Sequence, residues 1–254
     1  MSNDRQQRAA RAEQMRKERE KADRKQRNLI TVGIVVVVVA LIAVGGWAVK
    51  KEADKNETNK ELITPPGVTK DYGVEYTTEV ATGKPASNPV KVVAYEDFQC
   101  PACRSFEEQS GAFLEDAVAK GDITVEYRPI SFLDRASNGN KYSSRSASAA
   151  MCVMEESGPK KFKEMHAALF ASQPEEGTDG MPDSGLIDMA KQVGVTGIDT
   201  CIKTERFVPW IVDATEASRA ADVSATPTIQ VDGKTVETPT PENLQAAITA
   251  AAKG

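Results

Sequence analysis

Two cysteines stand two residues apart at Cys100 and Cys103, inside the stretch Phe98-Gln99-Cys100-Pro101-Ala102-Cys103-Arg104-Ser105-Phe106. Sulfurs at that spacing can close a short disulfide, and attack by a thiolate on such a bond exchanges it with another thiol. Two other uses of the pair compete. Zinc needs four ligands, while the remaining cysteines are isolated singles and the chain has one histidine, so a zinc site is disfavoured. A purely structural short-range bridge is the other use. An extended run followed by Cys-Pro-x-Cys and a helix favours a redox pair over it.

The elements around the pair make the two sulfurs unequal. Val90-Lys91-Val92-Val93-Ala94-Tyr95 is β-branched and aromatic behind Asn88-Pro89, the pattern of a buried strand. Phe106, Ser110, Phe113, Leu114, Ala117 and Val118 then fall on one face of a helix of about four to five turns. Pro101 suits the first helical position, where no amide partner is lost. Cys100 is thereby left at the helix N-terminus, whose free N–H groups and positive dipole end favour thiolate over thiol. Cys103 lies one turn in, on the core stripe, where desolvation favours the thiol. Cys100 is therefore expected to be the exposed nucleophile and Cys103 the shielded resolving thiol.

The chain has 254 residues, 40% hydrophobic and 27% charged, an ordinary globular balance. Leu29 to Val49 contains no charged residue and as a helix would be about 31 Å long, enough for a hydrocarbon core of roughly 30 Å. It is longer than a signal-peptide core and lacks a clean small-x-small cleavage site, so an uncleaved transmembrane helix over 29–49 is expected. Residues 1–27 carry ten Lys/Arg against five Asp/Glu, which places the arm 1–28 in the cytoplasm and everything after Lys50 outside. The expected location is the cell membrane, single-pass, with the cysteines in an oxidising compartment. Acids interleaved in the basic arm, and no aromatic side chain to stack on a base, make it a topology signal. Removing its +5 from the overall −5 leaves −10 for the rest, which disfavours a nucleic-acid partner.

Residues 50–72 have no apolar periodicity and include Pro65-Pro66-Gly67, so they are expected to form an extracytoplasmic linker to a domain over 73–254. Val74, Tyr76, Thr78 and Val80 alternate with polar residues as in a half-exposed edge strand, with a loop over 81–89. Ile123, Val125 and Tyr127 start another strand, ended by Pro129, completing a right-handed βαβ unit. From about 138 to 222 the period is helical, which predicts a helical subdomain inserted in an α/β fold. Cys152 and Cys201 lie within it. A bond between them would close 49 residues, worth roughly 4 kcal/mol in the chain-entropy model, and export favours that bond over two buried thiols. His166 shares a face with Phe162 and Phe170 and is expected to be a hydrogen-bonded packing residue, with no metal or other cofactor implied. At the end, Thr228-Ile229-Gln230-Val231 and Lys234-Thr235-Val236 flank an Asp-Gly turn, and Pro241-Glu242 opens a final helix. Pro227 opens the first of these strands, and the local sequence permits either a cis or a trans bond.

Taken in order, Asp97-Phe98-Gln99-Cys100-Pro101-Ala102-Cys103, Phe162-Lys163-Glu164-Met165-His166-Ala167-Ala168-Leu169-Phe170 and Ala225-Thr226-Pro227-Thr228 resemble the DsbA-type disulfide oxidoreductases of the thioredoxin superfamily, over about Val90 to Lys253. The resemblance implies a thioredoxin-like α/β fold with an inserted helical subdomain. It implies that Cys100 attacks, that Cys103 resolves, and that Pro227 is a cis-proline facing the disulfide. Thr226 would pair through its backbone with a bound peptide, beside Pro101 and Ala102. Cys152 and Cys201 are similar to a second, structural disulfide of membrane-tethered relatives. The implied partners are exported unfolded polypeptides with free thiols and a membrane reoxidant such as a vitamin K epoxide reductase homologue. Two departures stand out. No histidine lies between the cysteines, and Ala94 occupies the position, six before the attacking cysteine, where many relatives place a buried acid. Glu96 and Asp97 are near but expected at the solvent face, which leaves proton transfer at Cys103 unassigned. The expected function is a membrane-anchored enzyme that introduces disulfides into exported proteins. The alternatives are an isomerase or reductase of the same fold, or a tethered peptide-binding or chaperone module.

Overall fold

A computed structural model of the chain describes residues 61–253, so the basic arm, the apolar stretch 29–49 and the linker up to residue 60 lie outside the described part. Among the described residues no helix is long and apolar enough to cross a membrane. The sheet is built on β2 (Val90–Glu96), whose β-branched residues suit a central strand. Its neighbours are β3 (Ile123–Pro129), parallel and in register from Val90 opposite Ile123, and β4 (Thr228–Val231), antiparallel. The edge strands β1 (Val74–Tyr76) and β5 (Lys234–Thr235) complete the order β1-β3-β2-β4-β5. The β4–β5 turn has positive φ at both Asp232 (49°) and Gly233 (76°), the backbone an Asp-Gly hairpin requires.

One expectation near the start of the domain is corrected. The edge strand stops at Tyr76, and Thr78–Thr82 form a helix, α1. Thr77 caps it by accepting from the Val80 amide, so local capping wins over an alternation too short to hold a strand. Residues ahead of 73 also pack on the domain. Ile63, Val68 and Tyr72 lie against the core, and the Thr69 hydroxyl donates to Glu126 at 2.7 Å.

Helix α2 (Pro101–Lys120) connects β2 to β3 and buries Cys103, Phe106, Ser110, Leu114, Ala117 and Val118 against the sheet. Of the expected stripe, Phe113 alone stays partly exposed. Gly121 ends the helix at φ 87°, where a side chain would be strained. The insert holds α3 (Tyr142–Ala171), α4 (Asp183–Gln192), α5 (Asp199–Lys203) and α6 (Val208–Ala220). α3 is two helices joined at Gly158 (φ 76°), because Pro159 cannot donate to the preceding turn. Cys152 on α3 and Cys201 on α5 are bonded, with Cα atoms 6.0 Å apart. Helix α7 (Pro241–Ala251), capped by Thr240, packs on β4 and α2.

Candidate active site

The strand-to-helix junction is held before the cysteines are reached. Asp97 follows β2 and is wholly buried; its carboxylate accepts from the amides of Gln99 and Leu133, both at 2.9 Å, which ties the end of β2 to the loop after β3. Burial lifts its pKa to about 7 against these hydrogen bonds. Cys100 is the N-cap of α2 with extended backbone, and Pro101 takes the first helical position. Gln173, just past α3, donates from one amide group to the carbonyls of Phe98 (3.1 Å) and Cys100 (3.0 Å). The insert thus clamps the backbone on both sides of Gln99.

The thiols Cys100 and Cys103 are unbonded here, and both are buried. Cys100 was expected to be exposed, but 7% of its surface remains open because the loop before β4 covers it. The Thr226 carbonyl lies 3.3 Å from the Cys100 sulfur and can accept a hydrogen bond only from the thiol. The thiolate is held by other donors: the Cys103 S–H first, then the Thr226 side chain and the amides of Cys103 and Ala102. Together they outweigh burial and lower the Cys100 pKa to about 6. Cys103 has no exposed surface, and burial drives its pKa far above the ordinary thiol value. Pro101 and Ala102 are exposed beside the sulfurs, and the Thr226-Pro227 bond is cis. Cys100, Pro101, Ala102, Cys103, Thr226 and Pro227 therefore meet at one place, while the Cys152–Cys201 bond lies apart from them in the insert.

Behind Cys103 the sheet and the insert enclose a set of ionisable side chains. Glu96, expected at the solvent face, is 3% exposed, because strand alternation puts it on the same face as buried Val92 and Ala94. Burial raises its pKa to about 8. Its Oε2 lies 3.0 Å from His166 Nε2, and burial holds His166 neutral, with a pKa lowered to about 3. The ring packs against Tyr127 (4.5 Å between centroids) and edge-on to Phe98 and Phe170, so the expected packing histidine also orients a buried acid. Glu107 joins them, and ligand-capable atoms of Glu96, Glu107 and His166 lie within 4.8 Å of one another. Two carboxylates and an imidazole could coordinate a cation, but the Lys163 ammonium, 3.7 Å from Glu107, already supplies positive charge there. Glu107 and Gln173 carried no motif in the sequence, and Lys163 lies within the Phe162–Phe170 stretch without a role of its own there. Glu96 did carry a signal, the period of two along β2.

The family model described as thioredoxin matches residues 75–250. Among solved structures, the reduced DsbA from Mycobacterium tuberculosis is 36% identical, with a TM-score of 0.61 over 72% of this chain and 93% of that one. Disulfide bond formation protein D of Bacillus subtilis is 26% identical over 153 residues, 59% of this chain and 66% of that protein. A 121-residue stretch is 33% identical to the serine/threonine-protein kinase PknE of M. tuberculosis, covering 46% of this chain and 21% of the kinase.

Proposed function

From the premise that this chain belongs to the thioredoxin family, among its DsbA-type thiol-disulfide oxidoreductases, we propose that it donates the Cys100–Cys103 disulfide to exported proteins that carry free thiols. The observation that carries this reading is the opposite bias on the two sulfurs: thiolate favoured at Cys100, thiol enforced at Cys103. A substrate thiolate attacks the Cys100 sulfur, a new sulfur–sulfur bond forms, and the Cys100–Cys103 bond breaks with Cys103 as leaving group. A second substrate thiolate then attacks the substrate sulfur of this mixed disulfide, and Cys100 leaves as the thiolate its surroundings stabilise. The substrate loses two electrons and the enzyme dithiol holds them until a membrane reoxidant, such as a vitamin K epoxide reductase homologue, removes them. Exposed Pro101 and Ala102 and the Thr226 backbone form the platform on which an extended substrate segment lies.

The charge-free stretch 29–49 and the basic residues before it support an anchor with the catalytic domain outside the cell. One experiment in intact cells addresses both proposals. Cys103→Ser, which removes the internal thiol that would release a bound substrate, is expected to accumulate mixed disulfides on Cys100 with exported proteins. Those adducts are expected to be digested by protease added outside. Absence of adducts, or adducts formed equally by Cys100→Ser, contradicts the exchange mechanism. Protection of the adducts from protease contradicts the topology.

A further inference from the structure

The carbonyl of Cys100 is the one polar handle on the peptide that joins it to α2, because Pro101 brings no N–H to that bond. Whatever holds this carbonyl fixes rotation about the Cys100 Cα–C bond, and with it where the sulfur stands relative to the first amides of the helix. α2 supplies one holder, the Arg104 amide at 3.2 Å. The insert supplies the other. We infer that Gln173 is a positioning residue for exchange at Cys100, keeping the sulfur seated over the free amides of α2 by holding the carbonyls on either side of Gln99; this rests on the exchange reading above.

The reach of Gln173 is built from the core outward. Phe170, 3% exposed near the end of α3, packs on Phe98 with 5.1 Å between ring centroids, so the end of α3 is registered against the residue two before Cys100. The Gln173 amide then turns back to the Phe170 carbonyl at 3.3 Å. That turn leaves its side chain half-buried beside the junction, where the two hydrogens of Nε2 divide between the carbonyls of Phe98 (3.1 Å) and Cys100 (3.0 Å). The amides of the same stretch are held by Asp97: Gln99 donates to its carboxylate and Cys100 to its main-chain carbonyl, each at 2.9 Å. Cys100 is thus fixed at φ −78° and ψ 117°, extended, immediately ahead of α2. The amides of Ala102 and Cys103, so early in the helix, have no intrahelical acceptor and are free for the sulfur.

A disulfide needs no such donors. A thiolate does, so the hold favours the reduced state, and it acts through backbone geometry and not through charge. The titratable groups facing Cys100 are Cys103 on α2 and Glu96 on β2, and Gln173 Nε2 donates to neither. Thr226, on the loop before β4, carries no charge, and the Arg104 guanidinium is paired with Glu108.

The test follows the ultraviolet absorbance of the thiolate in reduced full-length protein against pH. Gln173→Met keeps the length and bulk of the side chain but donates nothing, and Gln173→Ala removes both; the position is half-buried, so neither opens the core. One net hydrogen bond corresponds to about one pKa unit, so Cys100 is expected to titrate about one unit higher in both variants. The reduced state then loses about fivefold at pH 7, read as the same shift in the equilibrium with glutathione toward the enzyme disulfide. An unaltered Cys100 titration in Gln173→Met overturns the assignment, as does a shift confined to Gln173→Ala, which would make bulk and not donation the cause. Failure of Cys103→Ser to form adducts would instead overturn the exchange reading and would move neither titration, so the two failures are distinguishable.

Discussion

At the scale of single residues, the site works by holding each titratable group at its own distance from water. Cys100 sits at a helix N-terminus with S–H and N–H donors around it, and Cys103 one turn away is held as a thiol by burial first and then by its hydrogen bond to Cys100 and the nearby negative charges of Glu96 and Cys100. The buried acids behind and beside them, Glu96 and Asp97, have pKa values raised to about 8 and about 7. A carboxyl whose folded pKa lies above its unfolded one lends stability below the unfolded value and loses it as pH rises through the folded value. His166 has the opposite sign, and its effect is confined to pH below its ordinary value of 6.5. In the oxidised protein, where no active-site thiol titrates, the unfolding free energy is therefore expected to fall between pH 6.5 and 8.5. Glu96→Gln should flatten that fall by roughly 1–2 kcal/mol. Denaturant melts of the two proteins at both pH values check this, and an unchanged slope in the variant would contradict the burial assigned to Glu96.

At the scale of elements, what the sequence made legible follows from periodicity and what it hid follows from tertiary approach. The apolar stripe Phe106, Ser110, Leu114, Ala117 and Val118 reads directly as the buried face of α2, and Pro101 and Gly121 mark its ends. Strand β2 reads as a strand, but its last residue, a glutamate that the sequence alone leaves solvated, is buried because His166 of α3 packs against it. Gln173 had no signal at all, since its two hydrogen bonds depend on how the end of α3 meets the start of α2, 73 and 75 residues away. The coverage of Cys100 is of the same kind, because Thr226 lies 126 residues downstream. Within the insert, the Cys152–Cys201 bond ties short α5 to long α3 across 49 residues. Replacing both with serine is expected to lower stability by roughly 2–5 kcal/mol and leave the alkylation rate of Cys100 unchanged, as followed by denaturant melts and mass analysis. Loss of turnover in a normally stable double mutant would make the pair an electron relay instead.

At the scale of the whole molecule, one sheet serves two layers with different tasks: α2 and the loop before β4 present the sulfurs, while the insert clamps their backbone and encloses the acids behind them. Such a domain can run electrons in either direction, and the direction is set by which redox state the site stabilises. Every donor around Cys100 acts on the thiolate, which exists only in the reduced form, so the reduced state gains and the disulfide becomes the stronger oxidant. The measurement that tests this most directly is the equilibrium reduction potential of the Cys100–Cys103 pair in the full-length protein against glutathione buffers at pH 7. A value between roughly −120 and −180 mV is predicted, in the range of proteins that donate disulfides; a value near roughly −270 mV, where reductases lie, would contradict the account.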